Sequence, residues 1–66
     1  MLDICENRNL IVAGYRDTTV KLWRNMNLIK MYSYPGPVYD VAFSNSGNFL
    51  AFSGDGNNLI KLIDIT

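Results

Sequence analysis

An all-β fold is predicted by two features of the sequence. Short runs rich in β-branched and aromatic residues are separated, every eight to ten residues, by clusters of glycine and asparagine. This pattern is typical of strands joined by tight turns. The runs at residues 10–13 and 49–52 are apolar throughout, which indicates strands buried on both faces. A helical interpretation fails, because no apolar spacing of three and four residues persists for a dozen residues.

A sequence repeat indicates how the strands are organised. Aligned without a gap, residues 10–24 fall on residues 50–64 at a distance of forty residues. The identical pairs are Leu10/Leu50, Gly14/Gly54, Lys21/Lys61 and Leu22/Leu62. A repeat of roughly 40–45 residues with four strands in each unit is typical of β-propeller blades. The sequence therefore predicts antiparallel blades of a β-propeller.

The first blade is predicted in residues 1–33. Its strands are expected at residues 1–5, 10–14, 19–24 and 28–32. In the turn of the central hairpin, the Asp17 carboxylate can accept hydrogen bonds from the backbone two residues further on. The β-branched residues Thr19 and Val20 favour the strand that follows this turn.

The second blade is predicted in residues 34–66, after a connector whose Pro35 and Pro37 cannot donate to a central ladder. Its strands are expected at residues 38–43, 49–53 and 59–65. Gly47 is available for a positive φ in the turn after the first of these strands. We therefore expect one four-stranded blade and one three-stranded blade that lacks its outer strand.

Two segments carry a resemblance to a known family. The end of a WD40 repeat is similar to residues 17–23, DTTVKLW, and its beginning is similar to residues 38–47, VYDVAFSNSG. The resemblance covers nearly the whole chain and implies an incomplete WD40 propeller. The chain is then the C-terminal end of a larger propeller or a truncated product, and a ring of several copies is the alternative. The same segments also resemble the C-terminal blades of the pre-mRNA-processing ubiquitin ligase of the splicing machinery.

An incomplete propeller leaves some sheet faces uncovered. Because each blade buries both faces only between two neighbours, we expect exposed apolar patches. The residues expected in these patches include Leu10, Val12, Phe49 and Phe52. The open edge of the three-stranded blade is expected to pair with another chain. The predicted partners are therefore other proteins, in the form of further propeller blades or other copies of this chain.

The family resemblance also implies a structural role for certain polar residues. In WD40 repeats, a turn Asp joins a buried hydrogen-bond network with a Trp, a Ser and a His. Asp17 and Trp23 match the Asp and Trp, while the Ser position falls on Ala13 in the first blade and on Ser53 in the second. The second blade has Tyr34 for His, Asn57 for Asp and Ile63 for Trp. Two interpretations of Asp17 stay open: a network with Trp23, or a plain turn carboxylate beside a packed indole.

Partner-binding residues are expected in the loops. In WD40 propellers partners usually dock on the narrow top face, and the resemblance places Arg16, Tyr34, Pro35 and Tyr39 there. Tyr and Arg are enriched at interface hot spots. The alternative for each is an exposed loop residue without a binding role.

Catalytic and metal chemistry finds no support in the residue types. The sequence has no His, which is the commonest general base and neutral metal ligand. Cys5 is the only cysteine, so it has no disulfide partner within the chain and is interpreted as a buried thiol. Residues 55–58 superficially resemble a calcium loop but lack the later bidentate Glu. No catalytic, cofactor or metal site is predicted.

The charge pattern restricts the classes of partner. The net charge is zero, so neither nucleic acid nor an anionic membrane is an expected partner. Residues 1–33 carry five basic and three acidic side chains, and residues 34–66 carry one and three, an asymmetry that helps neighbouring blades attract. No signal peptide or spanning segment is recognised, so an intracellular location is expected. The predicted function is a non-catalytic interaction scaffold, or alternatively the substrate-recruiting propeller portion of a larger enzyme.

Overall fold

The computed structural model describes residues 1–56 and 59–65 and contains two antiparallel β-sheets. The first sheet is formed in chain order by β1 (Leu2–Cys5), β2 (Leu10–Gly14), β3 (Thr19–Arg24) and β4 (Asn27–Ser33). The second is formed by β5 (Val38–Phe43), β6 (Phe49–Gly54) and β7 (Ile60–Asp64). The predicted all-β class, with one four-stranded and one three-stranded blade, is confirmed. A 3₁₀ turn at Glu6–Arg8 joins β1 to β2. The described residues contain no helix that is long and apolar enough to cross a bilayer.

Several tight turns have residues with positive φ angles. Gly47 has a φ of 77° between β5 and β6, as the sequence predicts. Asn25 and Met26, with φ of 50° and 68°, form the two-residue connection between β3 and β4, where two positive φ angles match the twist of the strands. Thr18 has a φ of 77° before β3, which is unusual for a β-branched residue.

The strand registers correct the alignment of the two blades. Ile11 lies opposite Trp23 in the first sheet, and Leu50 lies opposite Ile63 in the second. Ile11 therefore corresponds to Leu50, at an offset of thirty-nine residues, whereas Trp23 corresponds to Ile63 at an offset of forty. The ungapped alignment is wrong for residues 10–14. The loop between β6 and β7 contains one residue more than the loop between β2 and β3, and this absorbs the difference.

The core lies between the two stacked sheets. The first sheet contributes Cys5, Leu10, Val12, Val20 and Leu22, and the second contributes Val38, Val41, Leu50 and Phe52, with Tyr34 from the connector. The expectation that Leu10, Val12 and Phe52 are exposed is wrong, because each is at most 1% exposed. Leu10 and Val12 point from the first sheet toward the second, and Phe52 points from the second toward the first. Each sheet therefore buries the side chains of the other. Phe49 is exposed as expected.

Polar and close backbone contacts fix the two sheets relative to each other. The Asp3 carboxylate accepts a hydrogen bond from the Phe43 backbone N–H at 2.8 Å, and Arg8 Nη2 donates to Asn48 Oδ1 at 2.6 Å. A Cβ atom at Gly14 would lie 2.5 Å from a methyl carbon of Val38, so only glycine allows the sheets to approach this closely. The pair of blades is therefore one packed unit.

Candidate functional site

Three loops meet at one end of the two-sheet stack. Backbone hydrogen bonds join the β2–β3 loop to the connector, from Tyr34 N–H to Thr18 O at 2.8 Å and from Val38 N–H to Tyr15 O at 3.1 Å. A third bond runs from Asp55 N–H to Pro37 O at 3.0 Å. We call this end the loop rim; it comprises residues 15–18, 34–37 and 55–56 together with the start of β5. The hydrogen bonds hold loops from both blades in one arrangement.

The loop rim carries three of the four residues proposed from the sequence as partner contacts in exposed positions. Arg16 and Pro35 are exposed in their loops. Tyr39 is exposed near the start of β5, where the register between β5 and β6 is irregular. The arrangement presents a cation, a proline ring and an aromatic ring at the same end of the molecule.

Tyr34, the fourth proposed contact residue, is buried within the protein. Its side chain is 3% exposed, its hydroxyl donates to the backbone oxygen of Leu59, and its ring packs edge-on against Phe52 at 6.1 Å between centroids. A Cβ atom at Gly56 would come within 2.8 Å of the Tyr34 ring. The prediction that Tyr34 offers its side chain to a partner is therefore wrong. Tyr34 instead attaches the connector to the β6–β7 loop.

Asp17 has the geometry of a turn carboxylate. Its Oδ1 atom accepts hydrogen bonds from the Thr19 hydroxyl and, at 3.2 Å, from the Thr19 backbone N–H. These two bonds, with the hydroxyl first in importance, hold the pKa of the exposed Asp17 carboxyl below its ordinary value. In the part of the chain that the structure describes, no hydrogen bond joins Asp17 to Trp23.

Trp23 and Ser53 lie far from any shared network. Trp23 is partly exposed on the face of the first sheet that points away from the second, outside the core between the sheets. Ser53 is half-buried on the opposite outer surface of the stack, next to Ile60. The structure therefore does not bring Asp17, Trp23 and Ser53 together. Asn57, the second blade's counterpart of Asp17, lies outside the described residues.

The surface of the first sheet that points away from the second is broadly apolar. Register and alternation place Leu2, Ile4, Ile11, Ala13, Tyr15, Lys21, Trp23, Leu28 and Met31 on it. We call this surface the first outer face. Leu2 is 59% exposed, and it lines a shallow groove together with Trp23 and Met26.

The second sheet also has a surface pointing away from the stack, on which apolar and acidic side chains are mixed. It carries Asp40, Ala42, Phe49, Ala51, Ser53, Ile60, Leu62 and Asp64. We call this surface the second outer face. Ile60 and Leu62 are 70% and 68% exposed. The sequence predicted uncovered apolar faces and correctly included Phe49, but it did not identify the other exposed residues such as Ile60 and Leu62.

Side chains capable of metal or nucleophile chemistry are dispersed. Among residues 1–56 and 59–65, no three His, Cys, Asp or Glu side chains are placed to hold a metal ion. The Cys5 thiol is buried between the sheets.

On the first outer face, the Lys21 ammonium lies 5.1 Å from the centre of the Tyr15 ring, a favourable cation–π contact.

Comparison with known proteins identifies the family. The sequence profile of the WD domain, G-beta repeat, matches residues 2–24 and again residues 27–64. No curated protein matches the chain, so the resemblance to a splicing ubiquitin ligase finds no support. The profile matches cover most of the chain, and the stacked antiparallel sheets have the architecture of propeller blades. The chain therefore belongs to the WD40 repeat family.

Proposed function

We propose that this protein is a non-catalytic interaction module, which binds other proteins through surfaces of a rigid pair of propeller blades. WD40 repeats are in general protein–protein interaction modules. The observation that carries the proposal is that large apolar side chains remain exposed on both outer faces, even though the two sheets share a completed core. Contiguous exposed apolar patches on soluble proteins mark interaction sites. No feature of the described residues favours the alternative role in a larger enzyme.

The loop rim is the surface proposed to recognise a separate protein partner. Arg and Tyr are among the residue types that are enriched at interface hot spots. Arg16, Pro35 and Tyr39 are all exposed. The backbone hydrogen bonds between the loops support this assignment, because a surface that is already ordered loses less entropy on binding.

Protein capture with matched variants tests the loop rim. The folded chain is immobilised and exposed to cell extract, and bound proteins are quantified by mass spectrometry. The rim variant Arg16→Ala/Tyr39→Ala is compared with Asn7→Ala/Asn45→Ala, which changes two exposed residues at the opposite end. We expect the rim variant to lower capture of specific partners about tenfold, and the control variant to leave it unchanged.

The same experiment separates two kinds of failure. Equal capture by the wild type and both variants contradicts the loop rim as the recognition surface. Capture by the folded protein that does not exceed capture by the heat-denatured protein contradicts the interaction function itself.

A further inference from the structure

We propose that Thr18 determines the specificity of the loop rim, and that its hydroxyl and the Arg16 guanidinium together bind a carboxylate side chain of the partner protein. The inference rests on the proposed function, because it names the chemical group that the rim recognises. It begins from the backbone conformation of Thr18 in the loop between β2 and β3.

Thr18 is the one β-branched residue with a positive φ among the residues that the structure describes. Its φ is 77°, and the other non-glycine residues with positive φ are Asn9, Asn25 and Met26. Gly47 adopts the same φ in the turn between β5 and β6, and glycine does so without steric cost. A β-branched side chain in this region is a genuine outlier. The turn before β3 would therefore be more stable with glycine at position 18.

The Thr18 side chain gains nothing within the chain that offsets this strain. The neighbouring Thr19 hydroxyl donates to Asp17, but the Thr18 hydroxyl has no hydrogen-bond partner among residues 1–56 and 59–65. Thr18 is half-buried and lies outside the hydrophobic core. Its backbone oxygen accepts a hydrogen bond from Tyr34, which a residue of any type could do. Because strained residues cluster at functional sites, we assign the Thr18 side chain to a contact outside the chain.

The donors at this turn determine which group they can bind. The Arg16 guanidinium is exposed and can only donate hydrogen bonds. In the part of the chain that the structure describes, Arg16 forms no ion pair with Asp17, whose Oδ1 atom is occupied by Thr19. A guanidinium beside a free hydroxyl donor suits an acceptor with two oxygens, and hydrogen bonds from a cation to a carboxylate are the strong ones.

The charges around the turn also favour an acidic group. The Lys21 ammonium attracts the Asp17 carboxylate. Lys61 of the second blade donates from Nζ to the backbone oxygen of Ser33 at 3.1 Å, and Ser33 lies opposite Thr19 in the first sheet. The cationic side chains near the turn therefore outnumber the acidic ones on the rim, which are Asp17 and Asp55. This excess of positive charge favours a carboxylate over a basic partner group.

Selected peptides test the proposal on the purified chain. A library of random peptides displayed on phage is selected for binding, and the rim-binding peptides are those that lose affinity for Tyr39→Ala. Each is synthesised with its own sequence and with Asp and Glu replaced by Asn and Gln. Fluorescence polarisation measures the affinity of both forms for the wild type, Thr18→Gly, Thr18→Ser and Thr18→Gly/Arg16→Gln. Met26→Gly is the matched control, because it relieves a positive φ at the opposite end of the first sheet.

The proposal predicts that stability and binding change in opposite directions. Thr18→Gly is expected to raise the thermal midpoint by about 4 °C and yet to bind the rim-binding peptides about tenfold more weakly. Thr18→Ser keeps the hydroxyl and retains the affinity. Met26→Gly also gains stability but binds as the wild type does, so relief of strain alone does not account for the loss.

The carboxylate itself is tested by the amide peptides. Replacement of Asp and Glu is expected to weaken binding to the wild type about tenfold. The same replacement should have little further effect on Thr18→Gly/Arg16→Gln, because the groups that bind the carboxylate are already absent.

Other outcomes overturn the proposal. Unchanged affinity of Thr18→Gly shows that the Thr18 side chain makes no contact, and rim-binding peptides without Asp or Glu show that the recognised group is not a carboxylate. In either case the proposed function stands if Arg16→Ala/Tyr39→Ala still lowers capture from cell extract. A selection that yields no peptide dependent on Tyr39 counts against the loop rim itself and overturns both.

Discussion

Truncation of Phe52 tests whether the core lies between the two sheets. The Phe52 side chain is 1% exposed, and its ring lies 6.0 Å from the Tyr32 ring and 6.1 Å from the Tyr34 ring. Replacing a buried Phe with Ala costs about 3–5 kcal/mol in total, and this cost includes the loss of the two aromatic contacts. A single core in a chain of this size supplies only about 3–5 kcal/mol. Phe52→Ala is therefore expected to abolish the cooperative unfolding transition.

Trp23→Ala is the control variant for this prediction. Trp23 is larger than Phe52 but only partly buried on the first outer face, so its loss is expected to cost about 1–2 kcal/mol and to leave the transition intact. Urea unfolding followed by circular dichroism measures both variants against the wild type. Loss of the transition in Trp23→Ala but not in Phe52→Ala would refute the location of the core.

Two further predictions concern turns. Met26→Gly should raise the free energy of unfolding by about 0.5–1 kcal/mol, because Gly after Asn25 is preferred where both central φ angles are positive; an unchanged or lower urea midpoint would contradict this. The hydrogen bonds from Thr19 lower the pKa of Asp17 in the folded state from the ordinary 3.8. The ionised Asp17 carboxylate therefore stabilises the folded protein fully above pH 3.8, and this stabilisation is lost as the pH falls through the pKa of the folded state. Asp17→Asn should therefore weaken the acid dependence of the thermal midpoint, and an identical profile for wild type and variant would contradict the role of the turn.

The sequence was sufficient to predict the strands because the local signals agreed. Turn residues and β-branched residues alternate at strand length, and each of the seven strands lies within two residues of its expected position. The positive φ of Gly47 follows from the same turn chemistry. These features depend on neighbours along the chain, which a single sequence contains.

It was harder to predict which side of each strand points toward the other sheet. The run at residues 10–14 is apolar on both sides, so periodicity does not say which side meets the second sheet. The sequence also did not show that the two blades cover each other, so Leu10, Val12 and Phe52 were expected on uncovered faces, whereas all three are buried.

The candidate site was predicted only in part because burial depends on distant contacts. The local sequence was enough to predict that Arg16, Pro35 and Tyr39 are exposed, because each is a polar or rigid residue in a loop or at the start of a strand. Tyr34 lies in the same connector, but its hydroxyl reaches the backbone of Leu59, twenty-five residues away. No pattern within the connector indicates that contact.

The longer loop between β6 and β7 has a consequence for how this molecule can change. One additional residue in that loop leaves the pairing of β6 with β7 equivalent to the pairing of β2 with β3. Length differences at this end of a blade are therefore absorbed without turning side chains to the wrong side of the sheet. Residues can be inserted there to build a new recognition surface, while the stacking surfaces of the blades keep their composition. The loop that would contact a partner can therefore change in length while the packing between the two blades stays the same.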